Sequence, residues 1–272
     1  QDNINRLSPK LEALEPDKRG YRKLLRKLPL LVKAFHELPE KVQSSILRWS
    51  KVMALGFGNK ELMDIKSMED YYRRCHYDAG VVGNIITEDF WRRGYFSDEQ
   101  KEKLMPDPMS EKLGVNLSND VGIALQFAND LDGIIEDIEN GLYRMPHDLL
   151  VARGLSYETL ADASQNEGSR IRAAAFLEEM VQHAKPLIKN CNTYIKELPY
   201  DPNGLRNFLG FSTLLSASIV RNTPNLLTPA RSAKPKMKEV VYIYNKVRGL
   251  SSNNQDLGPF IAHTLEKPAW EY

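Results

Sequence analysis

The sequence predicts an all-α fold in one domain. Apolar positions recur at helical spacing through most of the 272 residues. No run of period two stands between turn signals, which argues against strands. No internal repeat and no low-complexity linker divides the chain.

The elements follow in order. A helical stretch is predicted near 21–38. A second covers 41–55, where Val42, Ile46, Trp49 and Met53 share a face before the Gly56–Gly58 pair stops it. Met68, Tyr71, Cys75, Ala79, Val82 and Ile86 are spaced 3, 4, 4, 3 and 4 and form one stripe on a long helix. Segment 118–139 reads as a helix with Ser118 as N-cap and Asn140-Gly141 as the stop. Further helices are predicted near 146–153, 168–196, 203–220 and 236–248. Pro29 and Pro186 are expected to kink or split two of these, and 223–237 reads as a surface loop.

Composition narrows the function classes. Apolar residues make up 42% and charged residues 27%, ordinary for a folded globular chain. The 37 basic and 36 acidic residues leave a net charge of +1, so nothing global points to nucleic acid. Cys75 and Cys191 make neither a disulfide framework nor a thiolate metal cage, and a reducing intracellular compartment, cytoplasmic or organellar, is expected. No apolar run is long enough to span a bilayer, and residues 1–10 are unlike a signal peptide. The chain opens on Gln1 instead of Met, so it is expected to begin inside a longer product.

Two stretches could carry chemistry. In 129–139, Asp132, Glu136 and Glu139 share one helix face, and Asn129, Gly133, Glu136 and Asp137 an overlapping one. Like charges at this spacing repel, so the face needs counter-charges, a hard cation or full solvation. In 71–83, Ala79, Gly80 and Gly83 leave a shallow groove that admits either a second helix or a bulky ligand. Glycine inside a helix costs about 1 kcal/mol against alanine, which asks for such a reason. Arg73 and Arg74 suit phosphate oxygens, or simply Asp70.

Together these stretches resemble the squalene/phytoene synthase family, all-α isoprenoid synthases that join two prenyl diphosphates head to head, and the resemblance implies a helical bundle around a central cavity. Cys75 to Gly83, CHYDAGVVG, is similar to the signature CHYxAGxVG. Gly122 to Asn129, followed by Glu136-Asp137 and the Gly141…Pro146 exit, is similar to the family's second aspartate-rich helix. The resemblance extends loosely from Asp2 to about Val247.

The resemblance implies a prenyl-diphosphate transferase with Mg²⁺ held by Asp132, Glu136 and Asp137, and by Asp2 in the remnant of a first aspartate-rich motif. Gln126 and Asn129 would orient water or diphosphate, and Arg73, Arg74 and Arg144 would hold phosphate oxygens. Gly80 and Gly83 would admit the substrate, with Tyr71 and Tyr77 lining the cavity beside the cation. NADPH is a further cofactor the resemblance allows, although no motif for it is readable.

The chain also departs from the family. A metal-binding aspartate falls on Gly133, a catalytic tyrosine on Arg74, and the exit arginine on Leu142. Those losses keep open an assembly factor or structural subunit of a larger complex, since resembling proteins include a mitochondrial complex I assembly factor. A prenyltransferase acting on another acceptor is a third option. Lys18, Arg19, Arg22, Lys23, Arg26 and Lys27, beside Leu24, Leu25 and Leu28, suit either a membrane surface or simple solvation.

Overall fold

A computed structural model describes residues 27–59, 64–198, 204–253 and 255–272. The chain divides into two compact units, Gln1–Lys51 and Val52–Tyr272, each taken by itself below. The described helices are α1 (Leu28–His36), α2 (Glu40–Gly58), α3 (Met68–Cys75), α4 (Val81–Arg92), α5 (Asp98–Leu104) and α6 (Leu117–Glu139). They continue as α7 (His147–Ala152), α8 (Tyr157–Ala161), α9 (Glu167–Glu197), α10 (Leu205–Asn222), α11 (Met237–Ser252) and α12 (Gly258–Thr264). No strand occurs among the described residues, and none of their helices is long and apolar enough to cross a membrane.

In the first unit only α1 and the start of α2 are described. Pro29 stands in the first turn of α1, so it begins the helix instead of kinking it. Most of the basic cluster, Lys18 to Arg26, lies outside the described residues, as does Asp2.

In the second unit α6 is the axis. Its buried residues run from Ser118 through Phe127 and Leu131 to Ile138. Helices α4, α9 and α10 pack around it. The N-cap of α6 is Asn116, two residues before the expected Ser118, whose hydroxyl instead donates to Asn84 Oδ1. At its other end Gly141 takes φ +73°, and the amides of Gly141 and Leu142 donate to Ile138 O and Asp137 O at 2.9 and 2.8 Å. This left-handed stop, which glycine adopts without strain, sends the chain out past Arg144.

Helix α9 runs through Pro186 as one 31-residue helix, so that proline does not split it. The segment 223–237 is not wholly loop: Thr223–Leu227 forms a 3₁₀ turn.

The stripe predicted from Met68 to Ile86 changes face partway. A π-helical turn, His76–Gly80, separates α3 from α4 and inserts one residue into the winding. Tyr71 and Cys75 lie in the core before it; after it the buried positions are Val81, Asn84, Thr87 and Glu88. Ala79, Val82 and Ile86 are thereby released from the core to another surface, described next.

Candidate functional site

The released residues line a cavity of about 230 Å³ between α4, α6 and α10, closed by Gly83, Leu125, Tyr194, Phe208 and Leu209 among others. Its walls are almost wholly apolar side chains, suited to a hydrocarbon and to the exclusion of water. The small residues of the motif bring the helices together. A Cβ added at Gly83 would lie 2.0 Å from Ser118 O, and one at Gly122 2.1 Å from Ala79 O. Gly80 is equally tight, with Asn119 Oδ1 2.0 Å from where its Cβ would stand. Gly80 therefore serves helix packing, while Gly83 both packs and borders the cavity.

Further along α6 lies a buried polar cluster centred on Asp130, a residue that sequence reasoning did not single out. Arg74 Nη1 and the Tyr71 hydroxyl both donate to Asp130 Oδ2 at 3.1 Å, and Gln126 Nε2 donates to Oδ1 at 2.7 Å. Arg74 also reaches Asp78 across one helical turn. Burial pushes the Asp130 carboxyl up, against the pull of Arg74, Gln126 and Tyr71. Burial opposes the Arg74 charge too, but Asp130 and Asp78 outweigh it and raise its pKa. Burial, then Asp130, holds the Tyr71 hydroxyl well above its usual range, so it stays protonated and donates to Asp130.

Arg74, Tyr71 and Gln126 thus come together, though around a carboxylate instead of a phosphate. Neither Tyr71 nor Tyr77 is among the residues lining the cavity. Tyr77 rests its ring where a Cβ on Gly56 would stand and donates its hydroxyl to Glu111, burial and that partner pushing it up to about 12. Arg73 is spread over Asp70, Glu69 and Glu111 at 3.3, 3.5 and 3.6 Å.

The third part is the acidic end of α6. Lys234 stands 3.6 Å from Asp132, Arg144 3.6 Å from Asp137, and Arg231 2.7 Å from Glu139. The repulsion expected along this face is met by cations from two loops. Glu136 and Asn129 are exposed. Among the described residues no three His, Cys, Asp or Glu side chains gather so as to hold a metal ion.

One atom nevertheless fits a metal: Asp132 Oδ1 is buried and has no hydrogen-bond partner. With Glu136 one turn on, it offers hard oxygen donors from a single helix, one side of a magnesium site. Space also remains beside it, for a Cβ on Gly133 would meet only Asp137 Oδ2, at 3.9 Å.

Comparison with known proteins agrees with the fold and the motifs. The squalene/phytoene synthase family profile matches residues 1–222. The chain belongs to that family. It is 29% identical over 176 residues to squalene synthase of Nicotiana benthamiana, covering 64% of this chain and 38% of that one. It is 25% identical over 246 residues to presqualene diphosphate synthase of Botryococcus braunii, covering 88% and 56%. A solved structure of TcSQS with the ligand BPH1237 superposes with TM-score 0.68 at 18% identity, covering 90% of this chain and 72% of that one. The chain thus spans only about two fifths to just over half of these curated relatives.

Proposed function

We propose that the protein is a prenyl-diphosphate transferase, joining prenyl groups with loss of diphosphate. One observation carries this: the apolar cavity and the acidic face are on the same helix. Leu125 borders the cavity and Asp132 follows seven residues later, about 10 Å along the axis at 1.5 Å per residue. An extended amphiphile with an anionic head fits that span.

The apolar walls would hold the prenyl chain and keep water from its allylic carbon. Asp132, Glu136 and Asp137 would hold Mg²⁺. Bound there, the ion supplies neutralisation of the departing diphosphate. Arg144 and Lys234, already beside these carboxylates, are the cations placed to take phosphate oxygens. Asp130 would fix Arg74 and Tyr71 as a rigid polar cluster against α6.

A second reading rests on Arg74. The arginine that replaces the family tyrosine is only 5% exposed and committed to two carboxylates, which favours a member that has lost turnover and acts within a protein complex. Calorimetry of the full-length product with farnesyl and geranylgeranyl diphosphate, with and without Mg²⁺, separates the two. Magnesium-dependent micromolar binding supports the transferase. No binding to folded protein, together with a stable protein partner on affinity capture, supports the second reading.

A further inference from the structure

The face of α11 turned away from the core carries an apolar stripe in a basic frame. Glu239, Ile243 and Val247 point inward. On the opposite side Met237, Val241 and Tyr244 follow at spacings 4 and 3 and are 74%, 51% and 48% exposed. Lys236, Lys238, Lys246 and Arg248 lie in the same stretch, while Arg231 and Lys234 just before it are turned to Glu139 and Asp132. Its sole acid, Glu239, is buried and paired with Arg221 at 2.9 Å. The stretch 236–248 therefore carries four cations and one carboxylate that is already paired.

Aromatic rings stand with the cations. Lys238 Nζ is 4.1 Å from the Trp270 ring centroid, Lys246 Nζ is 5.0 Å from that of Tyr272, and the Arg248 guanidinium is 5.8 Å from that of Tyr244. Exposed aliphatic side chains, half-exposed Trp and Tyr, and Lys or Arg around them match the chemistry of the lipid headgroup boundary. A second copy of this face would set like charges against each other.

We infer that the α11 face docks on an anionic membrane surface, Met237 and Val241 entering the headgroup layer and the lysines facing lipid phosphates and carboxylates. A further observation places it beside the cavity. Phe208, 59% exposed, borders both that cavity and a shallow apolar groove it shares with Phe211, Tyr244 and Val247. Resting on the transferase reading, this groove would let a long apolar chain pass between bilayer and cavity without crossing water. The docking itself does not depend on turnover.

The test is flotation of the purified full-length protein with vesicles of phosphatidylcholine containing about a third phosphatidylserine. The protein is expected to float at low salt and to be released as salt rises. Met237→Asp with Val241→Asp should lower the bound fraction by roughly tenfold or more. Lys236→Glu with Lys238→Glu should do the same while circular dichroism stays helical. No flotation, equal flotation of wild type and both variants, or equal flotation on pure phosphatidylcholine would overturn the inference. So would a change confined to oligomeric state in sedimentation velocity, which would make the face a protein contact. Because no step is catalytic, failure here leaves the transferase reading standing, and inactive protein that floats leaves this one standing.

Discussion

Arg74 Nη1 and Asp130 Oδ2 meet at 3.1 Å, the arginine nearly and the aspartate fully out of reach of solvent. Fifty-six residues separate them in sequence. Two desolvated charges hold together only while both remain.

Breaking that pair has an asymmetric cost. Arg74→Met leaves Asp130 and Asp78 without their shared cation and should destabilise the protein by about 3–5 kcal/mol. Arg74→Met with Asp130→Leu should lose clearly less than the sum of the single variants. Urea denaturation of the four proteins checks this; additive losses would show that the pair is not coupled.

Helix contact at the motif is equally testable. Gly83→Ala places a methyl 2.0 Å from a backbone carbonyl that cannot step aside alone. A loss of about 1–3 kcal/mol is expected, read as a lower Tm. An unchanged Tm would mean that α4 and α6 are farther apart than described.

The metal proposal predicts a gain of function. Gly133→Asp adds a carboxylate in open space one turn before Asp137. Mg²⁺ affinity by calorimetry should tighten by roughly tenfold. Unchanged affinity would argue that this end of α6 does not bind metal.

Asp120 gives a pH prediction. Both its carboxylate oxygens accept from the Gly114 amide, at 3.0 and 3.1 Å, and burial raises its pKa from 3.8 to about 6. The folded state therefore holds this proton more tightly than the unfolded state. The associated stability is complete below pH 3.8 and is lost as pH rises through about 6, by no more than roughly 3 kcal/mol. Asp120→Asn keeps an acceptor for Gly114 and should flatten stability across that window while raising it above pH 6. A variant with the wild-type slope would place the titration elsewhere.

Much of this was legible in the sequence, for physical reasons. The span 117–139 is long and periodic, and its glycine stop is local chemistry, so both ends were readable within two residues. The π turn was not: one inserted residue leaves spacings of 3 and 4 intact while rotating the buried face from Tyr71 and Cys75 to Val81 and Asn84. The apolar residues left over, Ala79, Val82 and Ile86, look like core by period and line a cavity instead. Helices α5, α8 and α12, of five to seven residues, were not among the predicted elements. Asp130 sits in an acidic run, and only its burial and its contacts with Arg74, Tyr71 and Gln126 distinguish it from Asp132. The helical spacing of Gly80 and Gly83 asked for a close neighbour and left open whether it is a helix or a ligand. That a proline should sit inside α9 was misread, because tertiary packing along a 31-residue helix outweighs one missing hydrogen bond.

The most direct measurement follows inorganic diphosphate release and hydrocarbon formation from farnesyl and geranylgeranyl diphosphate by the full-length product, with Mg²⁺ and with or without NADPH. A transferase should release diphosphate and yield a C30 or C40 product, and Glu136→Ala with Asp137→Ala should reduce the rate by at least about a hundredfold. Folded, helical protein that releases no diphosphate, or a double variant as active as the wild type, would contradict the account.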